Sequence, residues 1–370
     1  MQTNIKNIIV LLLVFAAAAL LFFGSNSFEK IGEVRVDAGP INASHGEMKS
    51  SLPETTVQPV EDGQKTAESA EVHFAADLEE GPVGEPSSQQ SEAVDHLALG
   101  MEFYKKDDLQ NALTHLQEVL RIDPDNSAAK GLVSKISREA RVEGSFINKE
   151  GSHFNVRYEG GESDVVGHLV AIILEEAYQK IGSDLGFYPD HSITTILYSA
   201  EQFRDVTRAP SWSGAIYDGK IRIPVGGVRE RSDVLEKVIF HEYTHAVVHR
   251  MGGGKVPTWL NEGIAQYEEG QLSEREDGFR YLATSLSLVP LSYLEGSFMG
   301  LTQEQAVIAY TEGLSAVKYI MDEYGVGMLS RLISSYKDGK GSEAAIKDTF
   351  QMTYKEFQES WIRSLKKRYG

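Results

Sequence analysis

The chain has 370 residues, of which 41% are hydrophobic, with no cysteine and a formal net charge of −18 at pH 7. This length and apolar content predict a water-soluble protein with at least one sizeable core. The negative charge argues against a nucleic-acid partner and against anionic lipid surfaces, because both require a concentrated basic face. Without cysteine the chain can form neither a disulfide nor a lipid-modified cysteine anchor.

An uninterrupted apolar run, "IIVLLLVFAAAALLFF", lies within Asn7 to Phe23 and follows Lys6. It predicts a secretory signal or short membrane anchor in residues 1–30, and the missing small-residue cleavage site favours an uncleaved anchor. Because the positive charge precedes the run, we expect the rest of the chain outside the cytoplasm. The expected location is a bacterial cell membrane with an extracytoplasmic domain, or secretion or the periplasm if the segment is cleaved.

Residues 31–92 have the composition of a solvated spacer. They contain thirteen acidic and three basic residues, almost no aromatics, and stretches such as "GPVGEPSSQQSE". Such a segment cannot bury enough apolar surface to fold alone. We therefore predict an acidic disordered linker over 31–92.

From Ala93 the pattern becomes helical, in "AVDHLALGMEFYKKDDLQNALTHLQEVLRIDPDNSAAK". This segment resembles one tetratricopeptide repeat, with the expected small and apolar residues at Leu99, Phe103, Ala112, Leu116 and Pro124, and a further helix from Ser127 to Arg141. We therefore predict an all-α helical hairpin of the tetratricopeptide type, together with the following helix, over residues 93–141. The resemblance implies a peptide-binding groove, but a lone repeat cannot bury its own face, so docking on its neighbour or self-association is favoured.

Residues 143–370 mix strands and helices. "HFNVRY" (153–158) and "SITTILYS" (192–199) predict strands around a helix, and "SGAIYDGKIRIPV" (213–225) predicts a hairpin turning at Asp218-Gly219. All later segments predict helices. Strands first and helices afterwards indicate an α+β domain, with the hairpin at a sheet edge.

The helical stretch "VIFHEYTHAVVHR", from Val238 to Arg250, carries the strongest chemical signal. His241 and His245 are four residues apart, so their imidazoles lie on one helix face and can bind one tetrahedral zinc ion. Glu242 projects to the side, where a carboxylate can reach a water without binding the metal. His249 extends the same stripe and is predicted to be a core or metal-supporting histidine.

A catalytic zinc site needs a third protein ligand, and the next segment, "MGGGKVPTWLNEGIAQYEEG", offers one. Glycines 252–254 predict a reversal, Pro257 a helix start, and Glu262 a ligand inside the second helix. Glu268 and Glu269 are alternatives two turns further along. A third-histidine motif is excluded by Val248 and Met251.

His241-Glu-Tyr-Thr-His245 followed by Pro257-Thr-Trp-Leu-Asn-Glu-Gly263 resembles the gluzincin metallopeptidases, most closely the peptidase-MA-like domains of bacterial proteins. The similarity covers about Phe154 to Trp361. It implies a zincin-like fold binding one Zn²⁺ per chain, with Glu262 as zinc ligand and Glu242 as base. "YTEG", at 310–313, is similar to the family segment whose tyrosine supports the transition state, which implies a catalytic Tyr310.

Two departures from the aminopeptidase N-like branch of that family bear on the activity. The spacing to Glu262 is shorter, and Tyr217 stands where those enzymes carry the glutamate that holds a free amine. The expected activity is therefore zinc-dependent hydrolysis of proteins or peptides by an endopeptidase, with the substrate added as a strand to the hairpin. The alternative is a non-catalytic assembly or interaction module that uses the tetratricopeptide repeat and a metallopeptidase-like domain.

Overall fold

The computed structural model describes residues 88–209, 214–270, 272–285 and 288–370. This part of the chain is mostly helical with a small mixed sheet, which agrees with the α+β prediction. None of its helices is long and apolar enough to cross a membrane. The predicted anchor lies outside the described residues, as does the linker up to residue 87.

From residue 88 to the sheet the structure has three helices: α1 (Ser88–Lys105), α2 (Leu109–Ile122) and α3 (Ser127–Glu143). α1 begins five residues before Ala93, so the last residues of the predicted linker are helical. Asp108 and Asn126 start α2 and α3, because their side-chain oxygens accept bonds from otherwise unpaired backbone N–H groups. Leu116 is fully buried between these helices, whereas Leu99 is 39% exposed. The tetratricopeptide assignment and the predicted domain limits stay predictions.

Within the described ranges the sheet has five strands, in the order β1-β2-β3-β5-β4. They are β1 (Ile147–Glu150), β2 (Phe154–Tyr158), β3 (Ile193–Tyr198), β4 (Ile216–Tyr217) and β5 (Ile221–Pro224). β2, β3 and β5 are parallel, and β1 and β4 pair antiparallel at the two ends. The two predicted strands and the hairpin are confirmed, and Gly219 supplies the positive φ of the turn. β1 was not predicted, since its four residues are all exposed and show no alternation.

Two helices connect the parallel strands. α4 (Asp164–Leu185) joins β2 to β3, and α5 (Ala200–Thr207) follows β3. Apolar residues of α4 pack on the sheet and on the helix that carries the histidine motif. The helix with the histidine motif is therefore positioned by packing against α4 and the sheet.

After the sheet, the described residues form seven α-helices: α6 (Asp233–Gly252), α7 (Thr258–Glu268), α8 (Glu276–Thr284), α9 (Gln303–Tyr324), α10 (Val326–Lys337), α11 (Ser342–Phe350) and α12 (Tyr354–Tyr369). α6 is buried on nearly all sides, between α4, α7 and α10. Trp259 and Trp361 are fully buried, and their indole N–H groups donate to the Tyr354 hydroxyl at 2.9 Å and the Ser315 hydroxyl at 2.8 Å. A buried indole with a partner avoids a desolvation penalty.

Helices α7 and α9 touch through two glycines. A Cβ on Gly263 would lie 2.4 Å from the Gly313 carbonyl oxygen, and a Cβ on Gly313 would lie 2.6 Å from that of Trp259. Real side chains do not approach backbone this closely, so both positions require glycine. The "WLNEG" and "YTEG" segments are thus in direct backbone contact.

A buried ion network joins α3 to the sheet. The guanidinium of Arg222, on β5, contacts Glu139 at 2.9 Å and Glu143 at 3.0 Å, and all three side chains have no exposed surface. The same guanidinium donates to Asp218 at 3.0 Å, and Lys135 of α3 contacts that carboxylate at 2.8 Å. These contacts fix the turn between β4 and β5 against the helical region.

Candidate metal centre

Helix α6 sets the positions of His241 and His245. Ser232 caps its first turn, and the left-handed Gly253 ends it, so the chain reverses and α7 begins after Pro257. The two imidazoles lie one turn apart on the same face, with ring centroids 4.6 Å apart and planes at 90°. Two ring nitrogens can therefore be offered to one point.

Glu262 of α7 reaches the same point. Its Oε2 atom lies 3.5 Å from His241 Nε2 and 3.6 Å from His245 Nε2. The three ligand atoms of His241, His245 and Glu262 all lie within 4.8 Å of one another. The residues predicted as metal ligands from the sequence are thus together in the structure.

The chemistry of this group fits a zinc ion. Glu262 Oε2 is buried and has no hydrogen-bond partner, although two imidazole nitrogens surround it. A buried carboxylate oxygen without a partner is costly, and a cation shared with the two histidines would satisfy it. Two imidazoles and one carboxylate are a ligand set found in zinc hydrolases, and three protein ligands leave a fourth position open.

Glu269 and Glu268, the alternative ligands, have other partners. Glu269 Oε1 contacts His241 Nδ1 at 2.6 Å, and Arg275 donates to its Oε2 at 3.0 Å. Because Glu269 engages Nδ1, the Nε2 atom of His241 remains for a metal. Glu268 instead contacts Lys180 at 2.9 Å.

The carboxylates beside the two histidines favour binding of a positive charge at this point. Burial opposes the charged imidazole of His241, but the neighbouring carboxylates of Glu262 and Glu269 outweigh it and raise the pKa of His241 well above its usual range. Burial lowers the pKa of His245. Burial would also raise the pKa of Glu262, but the two histidines lower it. A metal ion binds the neutral imidazole, so metal binding at His241 should release a proton.

Glu242 lies beside the histidines and is 6% exposed. Its Oε2 atom is buried without a hydrogen-bond partner. Burial raises the pKa of Glu242 to about 7, with the charge of His241 opposing this and those of Glu262 and Glu269 adding to it. A bound divalent cation would favour the ionised carboxylate. The arrangement suits a group that takes up and returns a proton near neutral pH.

Tyr310 of α9 lies close to the carboxylates of this centre. Burial raises the pKa of its phenol, and the negative charges of Glu262 and Glu242 raise it further, so it remains a hydrogen-bond donor. Its ring packs edge-on against Phe298, with centroids 5.3 Å apart, and its carbonyl accepts from Gln266 at 3.0 Å. Packing and this backbone contact therefore hold Tyr310 within the electrostatic influence of Glu262 and Glu242.

The other predicted residues lie around the centre. His249 is exposed, packs edge-on against Tyr217 of β4 with ring centroids 5.7 Å apart, and is not part of the ligand group, so the predicted core position is wrong. Asn261 interacts with His245. The sequence did not predict that Glu269 supports His241. The pattern that could have indicated it is the i,i+7 spacing from Glu262, which puts both carboxylates on one face at the end of α7.

A family model for the Peptidase MA superfamily matches residues 174–367, which include every residue of this centre. The chain belongs to the Peptidase MA superfamily. Membership of this superfamily suggests a metallopeptidase-like function, and the superfamily is generally zinc-dependent. No curated protein matches the sequence.

Proposed function

We propose that the protein is a zinc-dependent metallopeptidase that hydrolyses internal peptide bonds of proteins or peptides outside the cytoplasm. The convergence of His241, His245 and Glu262 on one point, with Glu242 buried beside them, carries this proposal. A site that only stabilised the fold would have no use for a buried, unbound carboxylate next to the metal.

The residues divide the chemistry between them. Held by His241, His245 and Glu262, a zinc ion would polarise the scissile carbonyl and acidify water. Glu242 takes a proton from the attacking water and passes it to the leaving nitrogen. The phenol of Tyr310 donates a hydrogen bond to the carbonyl oxygen as negative charge develops there.

The sheet supports binding of an extended substrate. β4 is the last strand in the sheet order and lies next to α6. A peptide can pair with such an edge through its backbone and place one bond near the metal. Tyr217, on β4, is not a group that would hold a free amine, which favours cleavage within a chain.

The test uses the full chain and an unfolded protein as substrate, with Glu242→Gln as the matched variant. The amide keeps the shape of the side chain but cannot accept a proton, so zinc content should persist while cleavage falls by about two powers of ten or more. A chelator should abolish cleavage by the parent, and zinc should restore it. Equal cleavage by parent and variant would exclude Glu242 as the base.

The interaction-module alternative receives support from α1, where Val94 is 65% exposed and Leu99 is 39% exposed. Apolar side chains at these positions are available to a protein partner. The same assay separates the two functions. A zinc-loaded parent that leaves every unfolded substrate intact would favour the interaction module.

A further inference from the structure

The helical region carries a second group of metal-binding side chains, outside the residues matched by the superfamily. Glu92 and His96 of α1 and Glu118 of α2 each offer one ligand atom, and these atoms lie within 4.8 Å of one another. Glu92 and His96 are four residues apart and share one face of α1. The group has no part in the proposed peptidase chemistry.

A close helix contact brings the two helices together at this point. A Cβ on Gly100 would lie 2.9 Å from the Cγ atom of Leu116, so only glycine permits this spacing. His96 is one turn before Gly100 on α1, and Glu118 is two residues after Leu116 on α2. The same contact that forms the hairpin core thus brings the three side chains into reach of one ion.

His115 of α2 orients the histidine of this group. Its Nδ1 atom lies 2.9 Å from His96 Nδ1, and its ring stacks on Phe103 with centroids 5.3 Å apart and planes at 9°. Phe103 and His96 both belong to α1, so the His115 ring is held from two places on one helix. A ring nitrogen engaged by a neighbour leaves the other one for a metal, as for His241.

The donor set points to a divalent transition metal. Imidazole nitrogen with two carboxylate oxygens suits zinc, manganese or iron(II), and three protein ligands leave positions for water. Arg121 donates to Glu118 Oε1 at 2.6 Å, so Oε2 is the oxygen available to the ion. Glu92 is exposed and His96 is half-buried, which makes the site accessible from solvent.

We propose that Glu92, His96 and Glu118 bind a second divalent transition metal ion, which links α1 to α2. His115 is a positioning residue for His96. The ion would hold the first described helix of the chain to the second. This proposal does not depend on the peptidase activity.

The test measures metal stoichiometry in the full chain. Protein stripped by a chelator is dialysed against zinc and analysed, and the parent should bind two equivalents. His96→Ala, and Glu92→Gln combined with Glu118→Gln, should each bind one. His191→Ala should still bind two, because His191 is 79% exposed and distant in sequence from both groups.

The two sites fail independently in this experiment. His241→Ala should also bind one equivalent, and that remaining ion should be lost when His96→Ala is added. A parent with one ion that is insensitive to His96→Ala would overturn the second site. One ion sensitive only to His96→Ala would support the second site and contradict the catalytic one.

A thermal readout covers variants that lose stability for other reasons. Zinc added to stripped His241→Ala protein should raise its melting temperature, because an ion bound only by the folded state stabilises it. Adding Glu92→Gln and Glu118→Gln should abolish that rise while leaving the zinc-free melting temperature nearly unchanged. A zinc-induced rise of the same size in both proteins would overturn the assignment.

Discussion

The imidazole of His241 lies between two carboxylates, Glu262 on one nitrogen and Glu269 on the other. The first contact is the one a metal would replace, and the second would remain. Glu269 is itself held by Arg275, so the ring has little freedom to turn. The geometry of the centre therefore depends on a residue that does not bind the metal.

We expect Glu269→Gln to weaken zinc binding by roughly 10- to 100-fold, because the amide holds His241 less firmly and adds no negative charge. Competition with a chromogenic chelator measures this. Glu268→Gln is the matched control, since that side chain contacts Lys180 instead. Equal zinc affinity in both variants would show that Glu269 does not support His241.

Tyr310→Phe should lower the catalytic rate constant and leave KM nearly unchanged, because the hydrogen bond to the oxyanion forms mainly in the transition state. Loss of one such donor typically costs about 2 to 4 kcal/mol of barrier stabilisation. Steady-state kinetics on one peptide measure it. Tyr319→Phe is the control on the same helix, where the hydroxyl contacts Tyr324. A Tyr310→Phe rate equal to the parent's would remove this tyrosine from the mechanism.

The sequence predicts the three metal ligands but not the residue, Glu269, that holds one of them in place. His241, His245 and Glu262 follow from helical spacing and from the chemistry of zinc, which are local. In the sequence Glu268 and Glu269 are adjacent alternatives, and only the i,i+7 spacing of Glu269 from Glu262 separates them. Tyr310 follows from a resemblance, because no spacing relates α9 to α6.

At the scale of elements, the contact of α7 with α9 determines how close Tyr310 comes to Glu262. Each of these residues is within one turn of a glycine in the contact, Gly313 and Gly263 respectively. A larger residue at either glycine would have to separate the helices. The centre can thus be disturbed without changing any of its side chains.

Gly313→Ala should reduce zinc affinity and turnover and destabilise the fold by about 1 to 3 kcal/mol, as expected for overpacking. Urea unfolding and chelator competition measure the two effects. Gly131→Ala is the control, because a Cβ there meets nothing within 4 Å and should slightly stabilise α3. Unchanged zinc affinity in a destabilised Gly313→Ala protein would contradict the link between this contact and the centre.

The strands show where sequence patterns lose information. β2 and β3 could be predicted because their buried residues alternate in β2 and run almost continuously in β3. All four residues of β1, "INKE", are exposed, and the strand forms through backbone pairing with β2 instead of through burial of its side chains. Such an edge strand leaves no periodic signal.

At the scale of the whole molecule, the buried ions connect the helical region to the strand beside the metal centre. Arg222 has carboxylates from α3 on one side and Asp218 on the other. Removing one partner of a buried pair typically costs about 3 to 5 kcal/mol, because the other charge stays buried. The sequence alone could not predict this network, since Arg222 and Glu143 are 79 residues apart.

Asp218 gives the network a pH dependence. Burial alone would raise the pKa of its carboxyl, but Arg222 and Lys135 lower it to about 2, from 3.8. A lowered folded-state pKa stabilises the protein above the unfolded-state pKa, and this contribution disappears as pH falls towards 2. The free energy of unfolding should therefore differ most between parent and Asp218→Asn at pH 5 and above, and less at pH 3.

Urea unfolding at pH 6, 5, 4 and 3 measures that difference. Asp338→Asn, at the end of α10 and outside this network, is the control for the effect of an Asp→Asn substitution itself. A constant difference between parent and Asp218→Asn over the whole range would mean that the carboxylate charge is not responsible.

The buried ion network also bears on how a fragment should be chosen for expression. The superfamily match begins at residue 174, inside α4, so a chain shortened to that limit would lack α1 to α3 and two strands. Arg222 of β5 would then lack Glu139 and Glu143, its two fully buried carboxylate partners. We expect such a fragment to be insoluble, while a chain starting at Ser88 should yield a protease-resistant product. We therefore expect the smallest folding unit to begin before the first residue of the superfamily match.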